Sequence, residues 1–377
     1  MRNDERNAFA FNSSFIVPHS SFQIMRLNKI FLFLLVGLFS TTLIFAQQTK
    51  PTPTPTPPPV EEPAIEEDNE PLRVEADLVN ILFTAADKDR RFLTNLTKDD
   101  IRIFEDGKQQ QIFTFQRQVD LPLSLAILID TSVSQERTLP DEKAAAAAFL
   151  EDVVRPGKDE VAILTFTGET TLEQGFTNNL ARIRRAVEKV EFLPPVNYAG
   201  GGVTFGSPAG GKNTGQRAAQ STAVWNAIWV TADEVMRETK NETRRAIILL
   251  SDGHDNNSSK RLEQAVEMAL KVDSVVYSIG IGDDYMQGVN QNTLRQIADK
   301  TGGRAFFPRD ETDLQRAFDQ IQNELRSQYL IAYEPSNSKK DGSYRRIEIQ
   351  VANPVLEKQR VKLTHRQGYF AESENKK

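Results

Sequence analysis

The apolar run Leu123–Ile129 ends on Asp130-Thr131-Ser132-Val133-Ser134. An apolar run of this length without alternation predicts a strand buried on both faces. An acid and two hydroxyls then sit at alternate positions, where that strand ends. Open α/β sheets bind ligands outside the carboxyl ends of their strands. Oxygens of Asp, Ser and Thr at that edge suit a hard cation such as Mg²⁺. A metal-dependent binding site is therefore the first expectation.

The same strand pattern recurs downstream. Val161–Phe166, Ala246–Leu250 and Val275–Gly280 read as strands, and Arg304–Phe307 as a short one. Thr170–Gln174 reads as a short edge strand. Helical stretches lie at Glu142–Val154, Leu180–Val190, Thr222–Glu238, Arg261–Lys271, Gln291–Lys300 and Thr312–Arg326. This alternation predicts an α/β fold with a doubly wound, mostly parallel sheet covered on both faces, over residues 121–328. Ala144–Ala148 reads as a close-packing helix face. Trp225 and Trp229, four residues apart, read as core and not as a ligand platform.

Both flanks of that region are strand-like. In the segment 71–119, Val74, Ala76 and Leu78 alternate with charged residues. Ile101–Phe104 leads into Glu105-Asp106-Gly107-Lys108, and Ile112–Phe115 answers it, which is a hairpin signal. In the segment 329–370, Tyr329–Tyr333, Arg345–Val351 and Val361–Thr364 read as strands, with a turn at Lys340-Asp341-Gly342. Neither flank is large enough to fold alone. Joined, they are expected to form one β-rich sandwich unit.

Ahead of the folded part, Ile30–Phe45 is apolar, follows Arg26 and Lys29, and precedes Ala46. This reads as a signal peptide within 1–46, with Met1 or Met25 as the start. Uncleaved, the same segment would be a signal anchor that tethers the chain to a membrane. Residues 47–70 read as an extended spacer, Pro/Thr-rich over Pro51–Pro59 and acidic over Glu61–Glu70. The expected location is outside the cytoplasm, periplasmic or secreted. The 377 residues contain no cysteine, which excludes disulfides, thiol catalysis and Cys-zinc sites. With three histidines, a His-rich metal site is not expected. The net charge of −6 gives no electrostatic case for nucleic acid.

Two further elements extend the strand-end motif. Ile247–Leu250 runs into Ser251-Asp252-Gly253, an acid at the same sheet edge, and Ser221-Thr222-Ala223 opens a helix. Asp130, Ser132, Ser134, Thr222 and Asp252 together resemble the von Willebrand factor A domain and its metal-ion-dependent adhesion site. The family motif is Asp-x-Ser-x-Ser, then a distant Thr, then a distant Asp. The chain also resembles a bacterial exported subfamily, through Phe104–Lys108 and through Tyr329–Phe370 with its closing Gln367-Gly368-Tyr369-Phe370. The resemblance implies that Ser132 and Ser134 ligate the ion directly. It implies that Thr222 joins them when the site is engaged, and that Asp130 and Asp252 act through bound water. The ion, Mg²⁺ with Mn²⁺ or Ca²⁺ as alternatives, would then take an Asp or Glu carboxylate from a protein partner. Where the family often has Gly-Gly before the Thr, this chain has Gln220-Ser221.

A Gly-rich insertion, Pro194–Gly215, precedes Thr222 and is expected on the metal face, where binding loops sit. Gly206, Gly211 and Lys212 in it, and His254 beyond Asp252, are candidate partner-binding residues; a solvated loop is the plainer reading of His254. Gly206–Asn213 nearly matches a phosphate-binding loop, but Asn213 replaces the hydroxyl residue and no apolar strand leads into it. The plainer reading of Asp130, Ser132 and Ser134 is a capped strand-to-helix turn. Catalysis is not expected. Ser132 stands where a phosphotransferase would carry a second acid, and no Ser-His-Asp order with elbow glycines is present. The expected function is an exported, metal-dependent protein-binding module. The alternatives are an assembly subunit of an envelope complex with a vestigial metal site and, third, a metal-using hydrolase.

Overall fold

The computed structural model describes residues 78–117, 121–192, 194, 221–240, 243–282 and 288–373. The expected leader, the spacer, Val74, Ala76 and the loop residues 195–220 lie outside them. No helix among the described residues is long and apolar enough to cross a membrane.

Four strands come first: β1 (Val79–Ala86), β2 (Ile101–Glu105), β3 (Lys108–Gln110) and β4 (Ile112–Arg117). Asp106 and Gly107 take positive φ, 49° and 81°, and set Glu105 opposite Lys108. Two such residues give the turn twist that a two-residue hairpin needs. The hairpin partner differs from the one expected. Ile101–Phe104 is answered by β3, and Ile112–Phe115 belongs to another sheet. The switch follows from Gln110, which is buried and tied sideways. Its Oε1 accepts from Ser336 N–H at 3.0 Å, and its Nε2 donates to Ser336 Oγ at 3.1 Å.

From Leu123 the order is β5 (Leu123–Asp130), α1 (Leu139–Val153), β6 (Glu160–Phe166), β7 (Thr170–Thr177) and α2 (Leu180–Lys189). There follow α3 (Val224–Val230), β8 (Arg244–Ser251), α4 (Leu262–Lys271), β9 (Ser274–Gly280), α5 (Gln291–Thr301), β10 (Ala305–Phe306) and α6 (Glu311–Arg326). The sheet runs β10-β9-β8-β5-β6-β7, with β7 antiparallel at one edge and the other strands parallel. Every residue of β5 is buried. Leu125, Ile127 and Ile129 pack with Phe149, Ile183 and Phe318 of α1, α2 and α6. Ala126 and Leu128 pack with Val224, Ala265 and Leu294 of α3, α4 and α5. The two-residue strand period alone explains that division. Each Leu or Ile so enclosed contributes about 1.5–3 kcal/mol. The result sets Asp130 on the carboxyl edge between β8 and β6.

The helix expected over Thr222–Glu238 is shorter and irregular. Its α-helical part is Val224–Val230, followed by a π turn over Thr231–Val235 and a 3₁₀ turn over Met236–Glu238. Thr231 Oγ1 donates back to Ala227 C=O at 2.7 Å, a competition that commonly bends a helix. At the other end, Thr222 C=O accepts from Asn256 and Asn257 N–H, which holds Thr222 outside the helix. Trp225 is buried as expected, but Trp229 is half-buried with the Lys260 ammonium 4.3 Å from its ring centre. Of Ala144–Ala148, only Ala145 and Ala146 are buried.

After α6 come β11 (Tyr329–Tyr333), β12 (Tyr344–Val351), α7 (Pro354–Lys358), β13 (Lys362–His365) and β14 (Gly368–Phe370). They join the first four strands in two antiparallel sheets, β13-β1-β11-β4 and β14-β12-β2-β3. Each sheet combines strands from before and after the parallel sheet. Ile81, Phe83, Ile103, Tyr329, Ile331 and Ile347 share the core of this sandwich. The two flanks therefore build one β-rich unit, with the α/β region inserted between them.

Candidate metal centre

Parallel pairing of β5 with β8 sets Ile129 opposite Leu250, so the next residues, Asp130 and Ser251, leave the sheet side by side. Asp130 is 0% exposed. Its Oδ1 accepts from Ser132 N–H at 2.9 Å and its Oδ2 from the Ser251 hydroxyl at 2.7 Å. The first bond turns the chain back on itself after the strand. Ser132 and Ser134 are thereby brought together, with their Oγ atoms 3.1 Å apart.

Asp252 follows on the β8 side, buried, with Oδ1 accepting from His254 N–H at 2.9 Å and its carbonyl accepting from Asn290 N–H at 2.8 Å. Thr222 reaches the same loop through its backbone. Its N–H donates to Asn256 Oδ1 at 2.8 Å, and its carbonyl accepts from Asn256 and Asn257. All five expected residues thus lie on the strand-end loops or on the segment bonded to them.

Burial pushes the Asp130 carboxyl up to about 7, and the charge of Asp252 pushes it the same way. Hydrogen bonds from Ser132 and Ser251 act in the opposite direction and do not prevail. Two buried acids that repel each other, beside two converging hydroxyls, form an all-oxygen donor set that fits a hard divalent cation. No group of three or more His, Cys, Asp or Glu side chains placed to hold a metal ion together occurs among the described residues.

Of the partner-binding residues expected, Gly206, Gly211 and Lys212 lie outside the described residues. His254 stands beside Asp252, half-buried, with Nε2 enclosed and without a hydrogen-bond partner among the described residues. Sequence reasoning missed Ser251, Asn256, Gln135 and Glu142. Ser251 was within view as the hydroxyl preceding Asp252. Its role needed the strand register.

Gly253 holds the turn after Asp252. Its φ is 76°, and a Cβ there would meet Leu294 Cγ at 2.7 Å. Gly253→Ala is therefore strained in backbone and in packing. It is expected to destabilise the fold by about 1–3 kcal/mol, read by denaturant unfolding. Wild-type stability in that variant would show that the turn relaxes freely.

A mostly parallel sheet covered by helices on both faces, with acids and hydroxyls from separate loops at its carboxyl edge, defines the class of α/β domain. Two family models, each described as the von Willebrand factor type A domain, match residues 125–254 and 212–320. This is a von Willebrand factor type A domain protein. Proximal thread matrix protein 1 from the mussel byssus is 19% identical, with a TM-score of 0.44 over 59% of this chain and 51% of its own. This chain thus spans about half the length of that structure. A von Willebrand factor type A protein from Catenulispora acidiphila is 15% identical, with a TM-score of 0.42 over 72% of this chain and 76% of its own. An aerotolerance-related membrane protein from Bacteroides fragilis is 17% identical, with a TM-score of 0.38 over 53% of this chain and 98% of its own. Likenesses this distant add nothing to the sheet order and the family matches. No curated protein matches the chain.

Proposed function

We propose that this protein is an exported, metal-dependent protein-binding module. The observation that carries the reading is the pairing of buried Asp130 with Asp252 beside the converging Ser132 and Ser134 hydroxyls. Ser132, Ser134 and Thr222 supply neutral oxygens to the ion, and Asp130 and Asp252 hold it by charge and through water. Mg²⁺ is the first choice, with Mn²⁺ or Ca²⁺ able to replace it. The bound ion supplies an electrophilic position for an Asp or Glu carboxylate of a protein partner.

The test is a calorimetric titration of Mg²⁺ and Mn²⁺ into the whole chain and its Ser132→Ala variant. Saturable binding is expected in the wild type, weakened at least about tenfold in the variant with the sheet still folded. Equal affinity in both proteins removes the assignment. Partner capture that ignores chelator and Asp130→Ala would instead favour an assembly subunit.

A further inference from the structure

A polar chain runs from the metal centre into the first turn of α1. Gln135 is fully buried. Its Nε2 donates to Ile281 C=O at 3.1 Å and to Ser134 Oγ at 3.3 Å. A backbone carbonyl can only accept, so the amide nitrogen must face Ile281 and the amide oxygen must face away. That oxygen receives Thr138 Oγ1 at 3.0 Å, and Thr138 Oγ1 also lies 2.8 Å from Glu142 Oε1. Glu142 is 1% exposed, and its Oε2 has no hydrogen-bond partner among the described residues.

A buried carboxyl with one oxygen unpaired is costly on a helix face packed into the core. A Leu would fill the space without that cost. The position instead holds a third acid near the site. Burial raises the Glu142 carboxyl to about 8, opposed by the Thr138 hydroxyl and reinforced by the charges of Asp130, Asp252 and Asp141. Those charges come from β5, from the loop after β8, and from α1 itself.

We propose that Glu142 is a positioning residue for the cation site, holding Ser134 through Thr138 and Gln135 and setting a third acid behind Asp130 and Asp252. This rests on the metal-binding reading above. The relay has a definite direction. The single Thr138 hydrogen serves one acceptor at a time. An ionised Glu142 draws it, whereas a protonated Glu142 donates to Thr138, whose hydrogen then turns to Gln135, with Oε1 at 3.0 Å and the backbone carbonyl at 3.3 Å. Gln135 keeps its bond to Ile281 in both states, and the Thr138 hydroxyl adds a second hold on the same residue, so loss of Thr138 loosens the N–H that faces Ser134. One lone pair of the Ser134 hydroxyl remains for a cation. Arrival of a cation favours the ionised state, so metal affinity and Glu142 ionisation are linked.

The experiment titrates Mn²⁺ into the whole chain by calorimetry, near pH 7 and near pH 9, in paired buffers that report proton release. Wild type is compared with Ser132→Ala, Glu142→Gln and Thr138→Val. Glu142→Gln keeps the acceptor for Thr138 and removes the charge. It is expected to weaken Mn²⁺ binding about tenfold near pH 9, to lose affinity gain between the two pH values, and to release fewer protons. A merely structural glutamate would leave the proton count unchanged. Thr138→Val breaks the relay and keeps the charge, and it too is expected to weaken binding. It decides the matter if Glu142→Gln does not fold. Wild-type affinity and proton release in both variants, with binding lost in Ser132→Ala, would overturn the role of Glu142 and leave the metal site standing. No Mn²⁺ binding by the wild type would remove both.

Discussion

The metal-free protein is expected to lose thermal stability as the pH rises from about 5 to about 9, and Mg²⁺ is expected to restore it. Asp130 and Glu142 are raised in the folded state, to about 7 and about 8. Unfolded, each titrates near pH 4. A carboxyl with a raised folded value binds its proton more tightly when folded. Its stabilising contribution is fully present below the unfolded value and is lost as the pH climbs through the folded one. A folded value about three pH units above the unfolded one corresponds to ~4 kcal/mol per group, less when the two groups are coupled. For a region of this size that is on the order of 10 °C in the midpoint. A bound cation neutralises the same acids and binds only the folded state, which raises the midpoint again. The acid limb has the opposite sign. The Asn353 amide and Thr97 N–H hold Asp100 below the usual carboxylate range, so its contribution is lost as the pH falls. Scanning from about pH 5 upward leaves the Asp100 limb behind, and the opposing gain from His365, held below its usual value by burial, is over near neutrality, so the loss is read most cleanly above about pH 7. A midpoint that stays level across this range, or ignores Mg²⁺ at its upper end, would mean that the acids are solvated and hold no ion.

The parallel sheet was legible because burial on two faces forces an apolar run, and such runs need no knowledge of the partner strand. Leu123–Ile129 and Ala246–Leu250 show this directly, and the acids that follow them fall at one edge because parallel strands share a direction. The sandwich was legible as β-rich, but its pairing was not. Asp106-Gly107 announces a turn without saying which residues lie across it. Gln110 is what ends β3, through contacts with Ser336 some two hundred residues away in sequence. Thr222 was found from the motif, whereas its position outside the helix depends on Asn256 and Asn257 in another loop. Glu142 gave the weakest signal. An acid between Asp141 and Lys143, ahead of the alanine run, reads as a solvated helix position until the fold encloses it.

Glu105→Ala is expected to produce the other large effect, in the sandwich. Glu105 is buried at the end of β2, where its Oε2 accepts from the Tyr333 hydroxyl at 2.7 Å and the Tyr369 hydroxyl at 2.9 Å. Its Oε1 lies 3.5 Å from Nη1 of Arg345, which is equally buried and also donates to the carbonyls of Asn337 and Lys339. One carboxylate therefore ties β2, from before the parallel sheet, to β11, β12 and β14 after it. Truncation leaves the Arg345 charge without its acid and two buried hydroxyls without their acceptor. Breaking a buried pair by removing one partner costs about 3–5 kcal/mol. Glu105→Gln keeps the shape and an acceptor oxygen, so it should cost less. The double variant Glu105→Leu with Arg345→Met removes both charges, and is expected to recover part of the loss. Denaturant unfolding of the three variants measures the order. Mn²⁺ affinity measured alongside separates sandwich from metal site, since Glu105 touches none of the five donor residues. If Glu105→Ala unfolds at the wild-type midpoint, the sandwich is held by its apolar core alone and the network is incidental.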